Sequence, residues 1–471
     1  MRKSKFKSYT LNNITISNAG SEGKSIARHD DKVIMVDHAV PGDIVDLKIT
    51  SSKKSFSFAK VEKIIQPSPD RVEPFCSHFG TCGGCKWQHM SYEAQLKYKQ
   101  QQVTDAFQRI GKFPYPEPEA IIGSAQTTFY RNKLEYTFTD RKWLADLTVK
   151  DELTDSEHLG LGFHIPGRFD KVLDIETCYL QASPSNEIRL AIKDFTVKNG
   201  YPYFNAHSQE GFLRNVIIRN SVHGELMVIV IFKEDDTEKR IALLDFLKNK
   251  FPQITSLLYV INGKMNDTIF DLEVNSHSGN NFINEKMEDL IFKIGAKSFF
   301  QTNSNQALVL YSKTREFADL TGNELVYDLY TGVGTIANFV AKNAKMVIGI
   351  ESIEQAILDA KENSDINKIA NTKFFAGDMK DVLNDEFILA NGKPDVIITD
   401  PPRAGMHEDV IKKIMEIKAN KIVYVSCNPA TQARDIALMQ ELYEVTRVQP
   451  VDMFPHTHHV ENIALLALRK V

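Results

Sequence analysis

One cysteine stands apart from the other four in this 471-residue chain. It lies in KIVYVSCNPAT (421–431), where Ile422 to Ser426 read as a short strand that Pro429 must stop. Cys427 therefore falls at a strand end and is followed at once by a bend. A buried thiol in a strand is usually a small hydrophobe. A nucleophilic one needs a lowered pKa or a base beside it, because the thiolate is the attacking species. The strand-end position and the Asn428-Pro429 bend favour the nucleophile. Two carboxylates suit its surroundings. Glu461 opens an otherwise apolar strand in HTHHVENIALLAL, and Asp400 precedes two prolines in DVIITDPPRAG. That proline pair makes a stiff loop of fixed direction at the carboxyl end of a strand, where open sheets bind ligands.

A thiol, a carboxylate and a rigid floor beside a methyl donor suit one reaction well. Carbon 5 of uracil is too weak a nucleophile to take a methyl group. Thiolate addition at carbon 6 makes carbon 5 enolate-like, methyl transfer follows, and a base then removes the carbon 5 proton as the thiolate leaves. Cytosine-5 methylation shares this logic, but its RNA enzymes usually carry a second cysteine beside the proline loop. TDPPR has none, so uracil is favoured.

The elements that must position these residues form a regular alternation from about residue 306. Apolar strands at ELVYDLY, MVIGIES, KFFAGD, DVIITDPP and KIVYVSC are separated by helical patterns, which predicts a parallel, doubly wound sheet. In VYDLYTGVGTIANFVA, Gly332 and Gly334 let backbone approach a ligand at a helix N-terminus. Glu351, 19 residues after Gly332, suits a ribose diol, and Asp378 after the third strand faces an adenine. Gly332-x-Gly334-x-x-Ala337 also fits a loose dinucleotide fingerprint, so a dehydrogenase is an alternative. A nicotinamide site has no need of the DPPR loop.

Before that sheet the pattern changes twice. Residues 9–66 alternate short Val/Ile-rich runs with turns and predict a small antiparallel barrel. QPSPDRVEP (66–74) is a boundary, and 91–110 reads as a polar helix. From about 120 to 290 strands and helices mix as α+β, at FYRNKLEYTF, LRNVIIRN, GELMVIVIF and SLLYVIN. CSHFGTCGGC gives Cys76, Cys82 and Cys85, with Cys178 far beyond. Four thiolates can hold a cubane cluster or a zinc ion, and spacing does not choose between them. Phe299 and Phe300 are candidates to stack on a flipped base, and Arg131 and Lys133, between aromatics, to grip phosphate. The net charge of −4 argues against indiscriminate nucleic-acid binding by the whole chain. Residues 1–70, with 12 Lys and Arg against 8 Asp and Glu, hint at a polyanion surface. No apolar run approaches a membrane span and no leader follows the basic start, so a cytoplasmic, membrane-free protein is expected.

DLYTGVG, DPPRAG, VSCNP and HTHHVE resemble, in order, the motifs of the RNA uracil-5-methyltransferases, and the resemblance spans nearly the whole chain. It implies a multidomain α/β protein. Residues 1–66 form an OB-like TRAM barrel, 67–294 an α+β domain with the cysteines, and 295–471 a Rossmann-like class I methyltransferase domain. It implies S-adenosylmethionine as methyl donor, bound by Gln301, Tyr330, Glu351 and Asp400. Cys427 would be the nucleophile and Glu461 the general base. It also implies a [4Fe-4S] cluster on Cys76, Cys82, Cys85 and Cys178. The cluster and barrel are similar to the branch that methylates 23S ribosomal RNA, the tRNA branch being expected to lack both. SEGKS in the barrel and TGVGTIAN in the cofactor loop depart from the usual pattern. No obligate protein partner is implied. The alternatives are a tRNA or dual-site enzyme and a catalytically dead RNA-binding Fe–S protein.

Overall fold

The computed structural model describes residues 6–145, 148 and 153–470. The MRKSK start of the basic N-terminal stretch lies outside the described residues. β1 (Tyr9–Ala19), β2 (Ser25–His29), β3 (Lys32–Asp37), β4 (Ile44–Ser52) and β5 (Phe56–Gln66) close a barrel in the order β1-β2-β3-β5-β4. Only β3 and β5 run parallel. Alternate residues such as Ile14, Ile16, Val45, Leu47 and Ile49 fill its interior, as the period of two demands.

The predicted polar helix is α1 (Tyr92–Ala106), capped by Ser91 and continued by a wider π turn over Phe107–Gly111. Val103, Ala106 and Phe107 pack against the C-terminal sheet, while Ala94 and Tyr98 meet Ala19 and Val40 of the barrel through Trp87. This helix therefore ties the front of the chain to the back.

The middle region is built on β6 (Lys133–Thr139), β7 (Gly160–His164), β8 (Val172–Asp174), β9 (Leu213–Asn220), β10 (Leu226–Phe232), β11 (Ser256–Ile261) and β12 (Asn275–Gly279). They form one sheet in the order β12-β11-β10-β9-β6-β7-β8. α2 (Ser185–Lys198) and α3 (Thr237–Lys250) cover one face. β10, LMVIVIF, is buried at every residue, so it reads as an unbroken apolar run rather than an alternation. The expected strand over FYRNKLEYTF starts later than its sequence suggests, because Phe129 has a left-handed backbone (φ 55) and β6 begins at Lys133.

A hairpin of β13 (Phe282–Met287) and β14 (Leu290–Gly295) leads to α4 (Ser304–Ala318). Then come β15 (Leu325–Leu329), α5 (Thr335–Ala341), β16 (Met346–Glu351), α6 (Glu354–Ile366) and β17 (Thr372–Ala376). They are followed by α7 (Met379–Val382), α8 (Asp385–Asn391), β18 (Val396–Thr399), α9 (Glu408–Ile417), β19 (Lys421–Ser426), α10 (Pro429–Met439), β20 (Tyr443–Val451) and β21 (Glu461–Leu468). The sheet order is β17-β16-β15-β18-β19-β21-β20. The five predicted parallel strands are present. The sheet is not parallel throughout, because β21 inserts antiparallel between β19 and β20. Helices cover both faces with two apolar layers, so the C-terminal region is a doubly wound α/β unit. No helix among the described residues is long and apolar enough to cross a membrane.

Candidate active site

The chain order reverses between β15 and β18, which lie side by side. In open α/β sheets that switch point, at the carboxyl ends of the strands, is where ligands sit. Each loop there can be built from its residues.

After β15 the chain turns through Tyr330-Thr331-Gly332-Val333-Gly334. Gly332 (φ 54) and Gly334 (φ 76) take the left-handed backbone the turn needs. A side chain on Gly334 would press on Ala360 and Phe374, whereas nothing lies within 4 Å of the Cβ position at Gly332, which opens toward the site. The Gly332 N–H donates to Glu351 Oε2 at 3.2 Å, and the other Glu351 oxygen accepts from Ser352 Oγ and Ile353 N. Tyr330 is also left-handed (φ 64), and burial, with Asp378 and Asp435 nearby, pushes its phenol up to about 12. Asp378 is exposed and caps α7. Asp328, buried in β15, accepts from Thr331 Oγ1, while its Oδ1 has no partner and burial pushes its carboxyl up to about 7.

After β18 the DPPR loop is fixed by the helix that follows Cys427. Pro429 sits in the first turn of α10, and Asn428 caps it by accepting from Ala430 N. The Arg403 carbonyl accepts from Asn428 Nδ2 (3.0 Å) and Thr431 Oγ1 (3.2 Å). Arg434 Nη2 donates to the Ala404 carbonyl. Asp435, fully buried, accepts from Met406 N and Tyr424 Oη and pairs with Arg434. The loop carrying Asp400 and the turn carrying Cys427 are thus one hydrogen-bonded block.

Strand register supplies the carboxylate. Ser426 pairs with Asn462 across β19 and β21, so Cys427 and Glu461 are the next residues along the same antiparallel register. Gln432 locks it, donating to the Tyr424 and Asn462 carbonyls and accepting from Asn462 Nδ2. Burial, and then the charge of Asp400, push Glu461 up to about 8, with Arg403 opposing. Burial pushes Asp400 up to about 7. The Cys427 thiol is pushed up to about 11 by burial, then by Glu461 and Asp400, while Arg403 counters through its charge and a side-chain hydrogen bond. Tyr311, buried on α4, faces Asp400, Glu461 and Asp328 and hydrogen-bonds Gln301. Three enclosed carboxyl groups held near neutrality, one with an orphaned oxygen, suit a cationic ligand that would let them ionise.

Gln301 is held from the middle sheet. Asn132 Nδ2 donates to the Gln301 carbonyl (2.9 Å) and to Ser304 Oγ, and the Asn132 backbone N–H donates to the Thr302 carbonyl at 2.8 Å. Of the two neighbouring rings, Phe299 is 71% exposed. Phe300 is 3% exposed and packs toward Phe292, so the expectation that it stacks on a base is corrected: its faces are in the core.

Arg131 and Lys133 do not project as an isolated phosphate grip. Both line a cavity of about 540 Å³ together with Cys76, Cys82, Cys85 and Cys178. Arg131 also lies over the Phe454 ring at 5.4 Å, and burial lowers the Lys133 pKa. All four cysteines are free thiols, and burial pushes Cys85 up to about 12 and Cys178 up to about 11. Among the described residues, no group of three or more His, Cys, Asp or Glu is gathered as a site for a metal ion. The iron–sulfur expectation therefore has a shared cavity and no assembled metal centre in its favour.

The sequence expectations put Asp400, Cys427, Glu461, Glu351 and the glycine turn at strand ends, and the structure brings them to one sheet edge. They missed Tyr311, Asp328, Asn132 and Asp435. Asp328, an acid inside VYDLY, carried a readable signal; Tyr311, Asn132 and Asp435 act through packing that no local pattern reveals.

Comparison with known proteins agrees with this geometry. Residues 219–469 match the family model described as tRNA (Uracil-5-)-methyltransferase, and residues 12–61 match the TRAM domain. An RNA methyltransferase of Bacteroides thetaiotaomicron is 56% identical over 95% of this chain and 100% of its own. One from Chlorobaculum tepidum is 40% identical over 90% of this chain and 89% of its own. The crystal structure of Pyrococcus abyssi tRNA (uracil-54, C5)-methyltransferase, in complex with S-adenosyl-L-homocysteine, superposes with a TM-score of 0.75 at 29% identity, covering 96% of this chain and 100% of that one. A tRNA enzyme thus matches almost the full length, front included, so the barrel does not by itself separate tRNA from ribosomal substrates. The chain belongs to the RNA (uracil-5-)-methyltransferase family.

Proposed function

We propose that this protein methylates carbon 5 of a uridine in 23S ribosomal RNA, using S-adenosylmethionine and a covalent adduct between Cys427 and carbon 6. The observation that carries the chemistry is the register that makes Cys427 and Glu461 neighbours beside the DPPR loop. When bound, S-adenosylmethionine supplies an electrophilic methyl group on a sulfonium. Gln301, Tyr330, Gly332, Glu351, Asp378 and Asp400 would hold it, with the enclosed carboxyls complementing its charge.

Cys427, as thiolate, adds to carbon 6, and the carbon 5–carbon 6 electron pair moves onto the carbon 4 carbonyl as an enolate. Carbon 5 then takes the methyl group as the enolate pair returns; the sulfur–methyl bond breaks with its electron pair left on sulfur, so that S-adenosylhomocysteine would be the leaving group. Glu461, as carboxylate, removes the carbon 5 proton; the double bond re-forms and the Cys427 thiolate departs with its electron pair. Arg403 favours the thiolate in both halves of this cycle. Burial excludes water from Glu461, whose raised pKa suits a base that must hold a proton near neutral pH.

In this reading residues 1–66 hold nearby RNA, 67–294 carry the four cysteines and 295–471 the chemistry. Phe299, exposed beside Gln301, would stack on the flipped uracil, while Arg131 and Lys133 would contribute positive charge nearby. We assign a [4Fe-4S] cluster to Cys76, Cys82, Cys85 and Cys178; their common cavity supports it, since a cubane spreads its four thiolates more widely than a single ion does. Such a cluster would tie the cysteine loop to the middle sheet. The cysteine cavity also supports the ribosomal substrate, through the branch resemblance.

A second reading, a tRNA substrate, is favoured by the full-length likeness to a tRNA enzyme. Incubating the protein and S-adenosylmethionine with 23S fragments and tRNA transcripts, then digesting to nucleosides, separates the two. The ribosomal reading expects 5-methyluridine from one 23S fragment; 5-methyluridine from tRNA alone would overturn it.

A further inference from the structure

A second cavity, of about 480 Å³, opens where the barrel meets the cysteine loop, and nothing in the reaction above uses it. His38, Arg71, Phe79 and His89 line it, with Ile64 and Val72 among its partly exposed apolar wall. Phe79 and His89 lie with ring centroids 5.1 Å apart and 36° between planes, and His38 meets Phe79 edge-on at 5.9 Å. His38 is exposed at the end of β3 with a left-handed backbone (φ 60), leaving part of its ring free.

His89 is the observation that points to a ligand. It is 3% exposed, and its Nε2 lies 3.3 Å from the Ala39 carbonyl. A carbonyl only accepts, so Nε2 must carry the proton. Burial lowers the pKa of this ring to about 4, so near neutral pH Nδ1 is a bare acceptor. That Nδ1 is buried and has no partner. An unsatisfied acceptor in the wall of an aromatic cavity calls for an N–H donor from outside.

The charged surroundings suit a polyanion. Lys24, Lys60 and Lys86 act on the His38 ring, against Asp37, which is itself paired to Lys24. Arg71 is held by Asp43, and Glu73 is the one carboxylate in the wall. The place also suits a segment that continues into the active site. Phe79 lines the cysteine cavity as well, and the N–H groups of Lys86 and Trp87 both donate to the His456 carbonyl, five residues before Glu461.

We propose that this cavity receives an unstacked nucleobase of the substrate RNA, lying against His38 and Phe79 and presenting an N–H donor to His89 Nδ1. The proposal rests on the RNA-methyltransferase reading and adds a second base contact at the barrel junction. Aromatic contacts of this kind hold single-stranded RNA without reading much sequence.

The test uses the full-length protein with His38→Ala and His38→Phe, which alter an exposed ring outside the reaction centre. RNA affinity is measured with 23S-fragment and tRNA transcripts, S-adenosylmethionine affinity serves as the check on folding, and kcat is taken at saturating RNA. We expect His38→Ala to weaken RNA binding about tenfold, with kcat and S-adenosylmethionine affinity kept, and His38→Phe to recover most of the loss. Wild-type RNA affinity in His38→Ala, with methylation intact, would overturn the base site and leave the enzymatic reading standing. Lost RNA affinity in His38→Ala from a protein that methylates no uridine would do the reverse.

Discussion

In the proposed reaction Cys427 must lose a proton to attack and Glu461 must be able to accept one, yet both sit where burial favours their neutral forms. A cation nearby resolves this conflict, and a pH test follows. Glu461, Asp400 and Asp328, raised to about 8, 7 and 7, must ionise to complement a sulfonium. The affinity for S-adenosylmethionine should therefore rise, relative to that for uncharged-sulfur S-adenosylhomocysteine, by about tenfold from pH 6 to 8. A ratio flat with pH in calorimetric titrations would remove these carboxyls from the site. In the ligand-free protein the sign runs the other way. Glu461 holds its proton more tightly folded than unfolded, so the stability it confers is full below about 4.5 and lost as pH rises through about 8. Roles separate by substitution. Cys427→Ala should bind both ligands and methylate nothing. Glu461→Gln should methylate carbon 5 but release product at least about a hundredfold more slowly, accumulating the adduct. Unchanged release would move the base elsewhere.

At the scale of elements, the two halves of the site are built by one strand insertion and one loop-to-helix block. Asp435 is the centre of that block, binding Met406 N, Tyr424 Oη and Arg434. Asp435→Ala should lower stability by about 3 kcal/mol and slow methyl transfer, because the freed DPPR loop no longer holds Asp400 and Arg403 against Cys427. Full activity with unchanged melting would show that the loop's rigidity comes from its prolines alone. DPPR and VSCNP were legible because a proline pair and a strand-end cysteine are local signals. β20 was not, since YEVTRVQPV has polar residues on one face and a proline near its end, and its place at the sheet edge is set by β21. Phe299 and Phe300 illustrate the same limit. Adjacent identical residues point to opposite environments, and only the packing of Phe300 toward Phe292 says which is buried.

Across the whole molecule, α1 and the strap before β21 join the barrel, the cysteine loop and the catalytic sheet. Lys99 and Asp452, both completely buried, form the ion pair at that joint, with Tyr92 Oη donating to the same carboxylate. Lys99→Met should cost about 3–5 kcal/mol, since it strands a buried carboxylate. Chemical denaturation would detect this, and a loss under about 1 kcal/mol would mean that the joint is held by apolar packing. The barrel and the parallel strands could be read from periodicity, but this joint could not. Its partners lie more than 350 residues apart and neither breaks a local pattern. The measurement that tests the account most directly engages all these parts at once. RNA carrying 5-fluorouridine is mixed with the protein and S-adenosylmethionine and run on a denaturing gel, because fluorine cannot leave carbon 5 as a proton does. The account predicts a covalent protein–RNA band that is absent in Cys427→Ala; no band with any RNA, or a band that survives in Cys427→Ala, would contradict it.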